Sequence, residues 1–225
     1  MSVMEAVAFF LLGLPLAYFG SLLVIRLTDF EEQLVEGEEP DRVLPWQAQP
    51  WPGRVRWGVM LMLPVSMAVA GSRFDILPAL LLSLLLGALL VCTATDLLRY
   101  RVPNVITYPS ILLALVAAVV MPDADLKGAV IAALAGGGMF LLLAIVTRGG
   151  LGLGDVKLAI LIGAMLGLPA GYLALFYGVI AGGAVIFLLF AIGVVGRREP
   201  VPYAPFLALA AIGVALLQGA AFAPL

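Results

Sequence analysis

The sequence has no histidine and only one cysteine among its 225 residues. Without histidine the chain cannot build Ser-His or Cys-His catalytic pairs, a histidine-ligated haem or a histidine-zinc site. The single cysteine, Cys92, lies within an apolar run and excludes both an internal disulfide and a cysteine-based zinc site. Most of the usual catalytic side chains are therefore absent, and the carboxyl groups are the main candidates that remain.

Charge is also scarce. Only 12% of the residues are charged, about half the share of a typical soluble domain, whereas 64% are hydrophobic. The longest polar segment, 28–56, is too short to form a separate soluble domain, and no basic patch favours a nucleic-acid partner. These features are typical of a membrane protein that crosses the bilayer several times.

The apolar runs predict an all-α, polytopic membrane helix bundle with about eight spans. The second and sixth of these runs are short for a bilayer that needs about 20 residues. The first run has no basic segment ahead of it and no Ala-x-Ala exit, so we expect a retained span rather than a cleaved signal. The runs are 4–25, 57–72, 77–96, 104–121, 127–147, 155–168, 171–195 and 204–222.

The basic residues indicate how the bundle is oriented. If both termini lie on the non-cytoplasmic side, ten of the twelve lysines and arginines fall in cytoplasmic segments, and only Arg73 and Lys127 fall outside. The opposite orientation reverses this ratio, and cytoplasmic loops are normally the basic ones. The ten residues are Arg26, Arg42, Arg54, Arg56, Arg99, Arg101, Arg148, Lys157, Arg197 and Arg198.

Two aspartates, Asp96 and Asp155, lie at the ends of predicted spans. An ionisable carboxyl at a membrane boundary is costly and indicates a functional site. Span three ends at Asp96 and span six begins at Asp155, so the predicted orientation puts both at the cytoplasmic edge. The two carboxyls can meet if these spans are neighbours, which the sequence pattern alone does not establish.

The two aspartates have different predicted electrostatic settings. Gly152 and Gly154 permit a tight turn, so Asp155 falls near a helix N-terminus, where the dipole favours the ionised form. Asp96 falls at a helix C-terminus, where the dipole disfavours a carboxylate, so we expect Asp96 to be the more readily protonated of the two. Two carboxyls that share a proton can activate water and protonate a leaving amine.

Each aspartate also has a purely structural interpretation. Asp155 can serve only as a helix N-cap, and Asp96 can be an interfacial acid paired with Arg99 or Arg101. The tetrapeptide Gly-x-Gly-Asp is by itself weak, because membrane proteins are rich in glycine. The combination of two motifs on one membrane face favours the functional interpretation.

These motifs resemble those of type IV prepilin peptidases, which are membrane aspartic proteases of the Gly-x-Gly-Asp class. One runs from Asp96 through Pro103 and Asn104 to Thr107, and the other spans 152–158. The segments 163–167 and 202–208 are similar to further family motifs, and 20–26 resembles the end of the family's first span. The resemblance is good over about residues 85–210 and loose in the N-terminal third.

The resemblance implies that Asp96 and Asp155 are the catalytic dyad of an endopeptidase. Its substrates would be prepilin or pseudopilin precursors of type IV pili or type II secretion, which lose a short basic leader at the cytoplasmic face of the inner membrane. Pro202, Pro205 and Phe206 would then contribute to substrate docking. Pro205 alternatively only opens the last helix.

The chain departs from the family in the segment after the first span. Many bacterial members have paired Cys-x-x-Cys zinc motifs there and methylate the new N-terminus with S-adenosylmethionine. Here the chain divides into a first span (1–27), a cytoplasmic loop without cysteine (28–56) and a membrane peptidase core (57–225). We therefore expect no metal or other cofactor, and N-methyltransferase activity is doubtful.

Several residues around the motifs have two interpretations. Lys157 either tunes the pKa of Asp155 or contacts a lipid phosphate. Alternatively, it only extends to the interface, as long basic side chains commonly do. Asn104 and Thr107 either donate to Asp96 or start span four. The loop 28–56 either contacts a partner or is a solvated connector. The glycines at 136–138 and 182–183 are expected at close contacts between spans.

Two further functions compete with the peptidase. One is a non-catalytic membrane scaffold or assembly factor derived from the same family, which would be expected to lose an aspartate or a glycine that this chain keeps. The other is a small proton-coupled transporter, which usually places its acidic residues near the middle of the membrane rather than at the edge.

Overall fold

The computed structural model describes residues 3–34, 51–147, 151–196 and 201–224, and over these residues the chain is almost wholly helical. The predicted all-α fold is confirmed, with one small two-stranded antiparallel pair after the last helix. The elements are α1 (Val3–Leu34), α2 (Trp51–Arg73), α3 (Ile76–Arg99), α4 (Asn104–Val120), α5 (Leu126–Val146), α6 (Leu153–Leu166), α7 (Ala170–Ala191), α8 (Ala204–Gln218), β1 (Gly219–Ala220) and β2 (Ala223–Pro224).

Five helices among the described residues are long and apolar enough to cross a membrane: α1, α2, α3, α5 and α7. Helix α6 has 14 residues, or about 21 Å at 1.5 Å per residue, so the expectation of a short sixth helix is confirmed. The expectation of a short second span is wrong, because α2 begins at Trp51 and has 23 residues. Pro52 is tolerated there, since the first turn needs no backbone N–H from it.

The predicted loop 28–56 is helical at both ends. Helix α1 continues to Leu34 through Glu31 and Glu32, and α2 takes up the chain again at Trp51. Glutamate, glutamine and leucine are good helix formers, which explains why the polar end of α1 remains helical. The centre of the predicted loop, 35–50, lies outside the described residues, as does any partner contact expected there.

The chain divides into two compact units, Met1–Pro103 and Asn104–Leu225. In the first unit, α1 packs on α2 through small residues, and a Cβ on Gly13 would lie 2.6 Å from the Pro64 Cα. Helix α3 also packs against both α1 and α2, and the side chain of Met67 is fully buried. This unit carries Asp96.

The second unit is built around α6, which contacts α4, α5, α7 and α8. Helices α5 and α6 approach so closely that a Cβ on Gly163 would overlap the Ala132 carbonyl. After α8, the N–H of Ala221 donates to the Met165 carbonyl at 2.9 Å, and the N–H of Asp125 donates to the Ala221 carbonyl at 2.8 Å. The end of the chain thereby ties the C-terminus of α6 to the start of α5.

The expected contacts at the glycine clusters are confirmed only in part. Gly136 packs against Leu175, Gly137 against Ile160, and Gly182 against Tyr203. Gly138 and Gly183 have open space where a Cβ would stand, so the expectation is wrong for these two. Consecutive helical residues point about 100° apart, so neighbouring glycines cannot all face the same partner helix.

We expect Gly163→Ala to destabilise the protein by about 1–3 kcal/mol, because the added methyl must push the α5 backbone away from α6. Gly138→Ala is the matched control: its methyl enters open space, and the variant should be as stable as the wild type or slightly more so. Thermal unfolding midpoints in detergent measure both. Equal midpoints for the two variants would contradict the close contact.

Candidate active site

Asp155 lies in the first turn of α6, as predicted from the glycines before it. Gly152 is the N-cap residue, and its backbone N–H donates to Asp155 Oδ2 at 3.2 Å. The carboxyl thus reaches back over the open end of the helix, as the acidic member of a capping box does. Asp155 is not itself the N-cap, but its capping role is real and accompanies any catalytic one.

The carboxyl of Asp155 is buried, and the C-terminal end of the neighbouring helix α5 extends beyond it. Gly163 faces Ala132 and Gly136 faces Ala159, so α5 and α6 run antiparallel. Four residues further along this register, Phe140 of α5 lies level with Asp155 of α6. Helix α5 continues for six residues beyond Phe140, which is about 9 Å. Asp155 is consequently only 7% exposed.

Two opposing effects act on the ionisation of Asp155, which lies outside the five candidate spans. Burial raises the pKa of its carboxyl from 3.8 to about 6, and the hydrogen bond from Gly152 lowers it by a smaller amount. The hydrogen bond at the helix N-terminus favours the ionised form, as expected, but the effect of burial on the pKa is larger. The order of ionisation between Asp155 and Asp96 stays a prediction.

Lys157 connects α6 to α4. Its Nζ donates to Asn104 Oδ1 at 2.7 Å and lies 5.6 Å from the centre of the Tyr108 ring. The amide oxygen of Asn104, the first residue of α4, is thus directed to Lys157. Tyr108, one turn further along α4, is a contact that the sequence motifs did not indicate, because its partner is 49 positions away along the chain.

Asp96 lies in the last turn of α3, as predicted, and is 6% exposed. Its backbone carbonyl accepts a hydrogen bond at 2.8 Å from the N–H of Tyr100, whose φ of 54° is left-handed. This conformation is uncommon for a residue other than glycine and ends α3 sharply. The chain then passes the buried Pro103 into α4.

The structure assigns the two aspartates to different compact units, Asp96 to the first and Asp155 to the second. Their pairing stays a prediction. Thr107 is buried in α4, and its predicted hydrogen bond to Asp96 likewise stays a prediction.

The predicted docking residues lie at the start of α8. Pro202 is buried, whereas Pro205 and Phe206 are partly exposed. Between the two prolines, the Tyr203 hydroxyl donates to the Val179 carbonyl at 3.0 Å. Burial raises the pKa of the Tyr203 phenol, and the Asp155 carboxylate raises it further.

Tyr203 is therefore a residue of the Asp155 region that the sequence motifs did not single out. The only signal for it was its position inside the segment 202–208, which was selected for its prolines and Phe206.

No cluster of three or more metal-ligating side chains occurs in the part of the chain that the structure describes. Cys92, the only cysteine of the sequence, is buried in α3. A tetrahedral structural zinc needs four ligands, normally cysteine or histidine, and one cysteine with no histidine does not fit it.

Comparison with known proteins gives two matches. The type IV leader peptidase family matches residues 83–187, a segment that contains both Asp96 and Asp155 and ends before Pro202. The chain is also 31% identical over 153 residues to the prepilin leader peptidase/N-methyltransferase of Bacillus subtilis (strain 168). The alignment covers 68% of this chain and 61% of that protein. No solved structure matches the chain.

The burial of Asp155 predicts a pH-dependent gain in stability for Asp155→Asn. A carboxyl whose pKa is raised by folding stabilises fully below its ordinary value of 3.8, and this contribution is lost as the pH rises through about 6. Asparagine still accepts from Gly152 but cannot ionise. At neutral pH the variant should be more stable by up to about 3 kcal/mol, since one pKa unit corresponds to about 1.4 kcal/mol.

Thermal midpoints of the wild type and Asp155→Asn across pH test this. The gain should shrink steadily between neutral pH and about pH 4. Asp123→Asn, at an exposed position, is measured alongside as the matched surface substitution. A constant difference across pH would contradict the raised pKa.

Proposed function

The chain belongs to the type IV leader peptidase family, and we propose that it is an aspartic endopeptidase that cleaves prepilin-like precursors. The observation that carries this proposal is that the family match includes both Asp96 and Asp155, each in the motif context that the sequence indicated. The aligned part of the chain spans 61% of the Bacillus subtilis relative, so the activity of that whole protein is transferred here only as a proposal.

The proposed reaction is hydrolysis of one peptide bond by two carboxyl groups. An ionised carboxylate removes a proton from water, and the water oxygen attacks the scissile carbonyl carbon. The protonated partner donates its proton as the C–N bond breaks, which releases the leader with a new carboxylate and the mature chain with a new amine. The raised pKa of Asp155 supports this chemistry, because a carboxyl with a pKa of about 6 exchanges protons readily near neutral pH.

The proposed substrate rests on the family match, and the proposed location rests on the predicted orientation. We propose that both carboxyls act at the cytoplasmic edge of the inner membrane, on precursors with a short basic leader ahead of an apolar helix. The charge distribution supports this placement, since ten of the twelve basic residues fall on that side in the predicted orientation. The partners that the family match implies are prepilins or pseudopilins of type IV pilus or type II secretion systems, together with the lipid bilayer.

We further propose that the chain is a peptidase that works without zinc. The family's zinc domain depends on paired cysteines, and this chain has none in segment 28–56. The Bacillus subtilis relative is named both a peptidase and an N-methyltransferase, but only the peptidase activity is proposed for this chain.

Co-expression with a tagged prepilin that has a basic leader tests the peptidase. The wild type should shorten the precursor, whereas Asp96→Asn and Asp155→Asn should each slow cleavage by about a thousandfold or more, because neither amide can transfer the proton. Asp123→Asn, at an exposed position, should cleave like the wild type. Product masses report the cut site, and cleavage that persists in both motif variants would rule out the dyad.

The same product tests the second activity. When the cells make this chain as their only leader peptidase, we expect the mature N-terminus to carry a free amine. Intact-mass measurement distinguishes the free amine from an amine that has gained one methyl group. A methylated product that disappears when the chain is omitted would overturn the proposed restriction to peptidase activity.

A further inference from the structure

The ring of Tyr203 is seated in a notch on α7. A Cβ on Gly182 would lie 2.9 Å from both Cε2 and Cζ of this ring, so the ring fits only because residue 182 is glycine. The hydroxyl at the end of the same ring donates to the Val179 carbonyl at 3.0 Å. Steric fit and a hydrogen bond therefore hold the phenol at one position on α7.

The same face of α7 holds the start of α8. Gly178 lies against Leu207, where a Cβ would come within 2.8 Å of the leucine Cδ2. The Tyr203 carbonyl accepts from the Phe206 N–H at 3.2 Å, and the two rings meet edge-on with centroids 6.0 Å apart. Gly178 and Gly182 are four residues apart, a spacing that lets neighbouring helices approach closely.

This docked segment lies at the level of the Asp155 carboxyl. Helices α6 and α7 are joined by a short turn, next to which Gly171 packs on the Gly163 backbone. Asp155 lies eight residues before Gly163 in α6, and Val179 lies eight residues after Gly171 in α7. Each distance is about 12 Å along its helix, so Asp155 and the Val179 carbonyl stand at the same height. The effect of the Asp155 charge on the Tyr203 phenol supports this proximity.

We propose that Tyr203 is a positioning residue for the Asp155 site: seated on Gly182 and bonded to Val179, it fixes the segment that opens α8 as a wall beside the carboxyl. This inference rests on the proposed peptidase function. If the start of α8 were displaced, the substrate would still bind but would be misaligned with the carboxyl. Small misplacements of reacting groups reduce rates strongly. The loss should therefore appear in kcat rather than in KM.

Two adjacent glycines provide the sharpest test. Gly182→Ala places a methyl against the Tyr203 ring, whereas Gly183→Ala places the same methyl in open space one residue further along α7. We expect Gly182→Ala to lower kcat by about tenfold or more with KM within about twofold of the wild type. Gly183→Ala should retain both constants. Purified enzyme and a synthetic precursor segment in detergent provide the assay.

Variants of Tyr203 itself separate the steric fit from the hydrogen bond. Tyr203→Phe keeps the ring but loses the bond to Val179, and we expect kcat to fall by about threefold to tenfold. Tyr203→Ala removes the ring, so adding Gly182→Ala to it should cause no further loss. This non-additivity is the signature of a direct contact in a double-mutant cycle.

Rates are expressed per folded enzyme, from the monodisperse fraction on size exclusion, with thermal midpoints recorded in parallel. A merely structural Tyr203 would lower the midpoint and leave kcat per folded enzyme unchanged, which overturns the proposal. A rise in KM at constant kcat overturns it in favour of substrate docking. Equal constants for Gly182→Ala and Gly183→Ala, or a Gly182→Ala loss that persists in Tyr203→Ala, also overturn it.

Failure of the proposed function is distinguishable from failure of this inference. A wild type that leaves the precursor intact, or an Asp155→Asn variant that cleaves it, overturns the peptidase assignment and the role of Tyr203 together. A wild type that cleaves, an inactive Asp155→Asn and two equivalent glycine variants overturn the role of Tyr203 alone.

Discussion

The second unit depends on the close approach of α5 and α6, where Gly163 lets the Ala132 carbonyl come into backbone contact. Helices in a membrane gain little from the hydrophobic effect against each other, so tight van der Waals contact at small residues holds them together. This contact sets the height of α6 relative to α5. It therefore also sets the depth of Asp155, which lies level with Phe140 and below the C-terminal end of α5.

The depth of Asp155 creates an electrostatic conflict at the start of α6. The Gly152 N–H favours the ionised carboxylate, but burial disfavours it more strongly and raises the pKa to about 6. A stable scaffold would avoid this conflict by placing a neutral residue there. An enzyme that must take up and release a proton near neutral pH benefits from it, because proton transfer is most effective when the pKa lies near the working pH.

Two side-chain hydrogen bonds join elements of the second unit, one from the start of α6 to α4 and one from the residue before α8 to α7. Lys157 binds Asn104 at the start of α4, and Tyr203 binds α7 at the height of the aspartate. Both contacts involve polar groups on long side chains whose partners are distant in sequence. Neither contact uses the Asp155 carboxyl, so both leave it able to take up and release a proton.

The sequence by itself determined the helical fold, the motif positions of both aspartates and the placement of Asp155 in a first helical turn, because apolar runs and Gly-x-Gly-Asp are local patterns. It missed the early start of α2 and the extension of α1, since polar residues with good helix propensity look like a loop when judged by hydropathy. Only the tertiary structure decided which glycines make contacts, how deeply Asp155 is buried and that Tyr203 reaches Val179. These properties depend on the register and rotation of one helix against another, which packing fixes and no local pattern specifies.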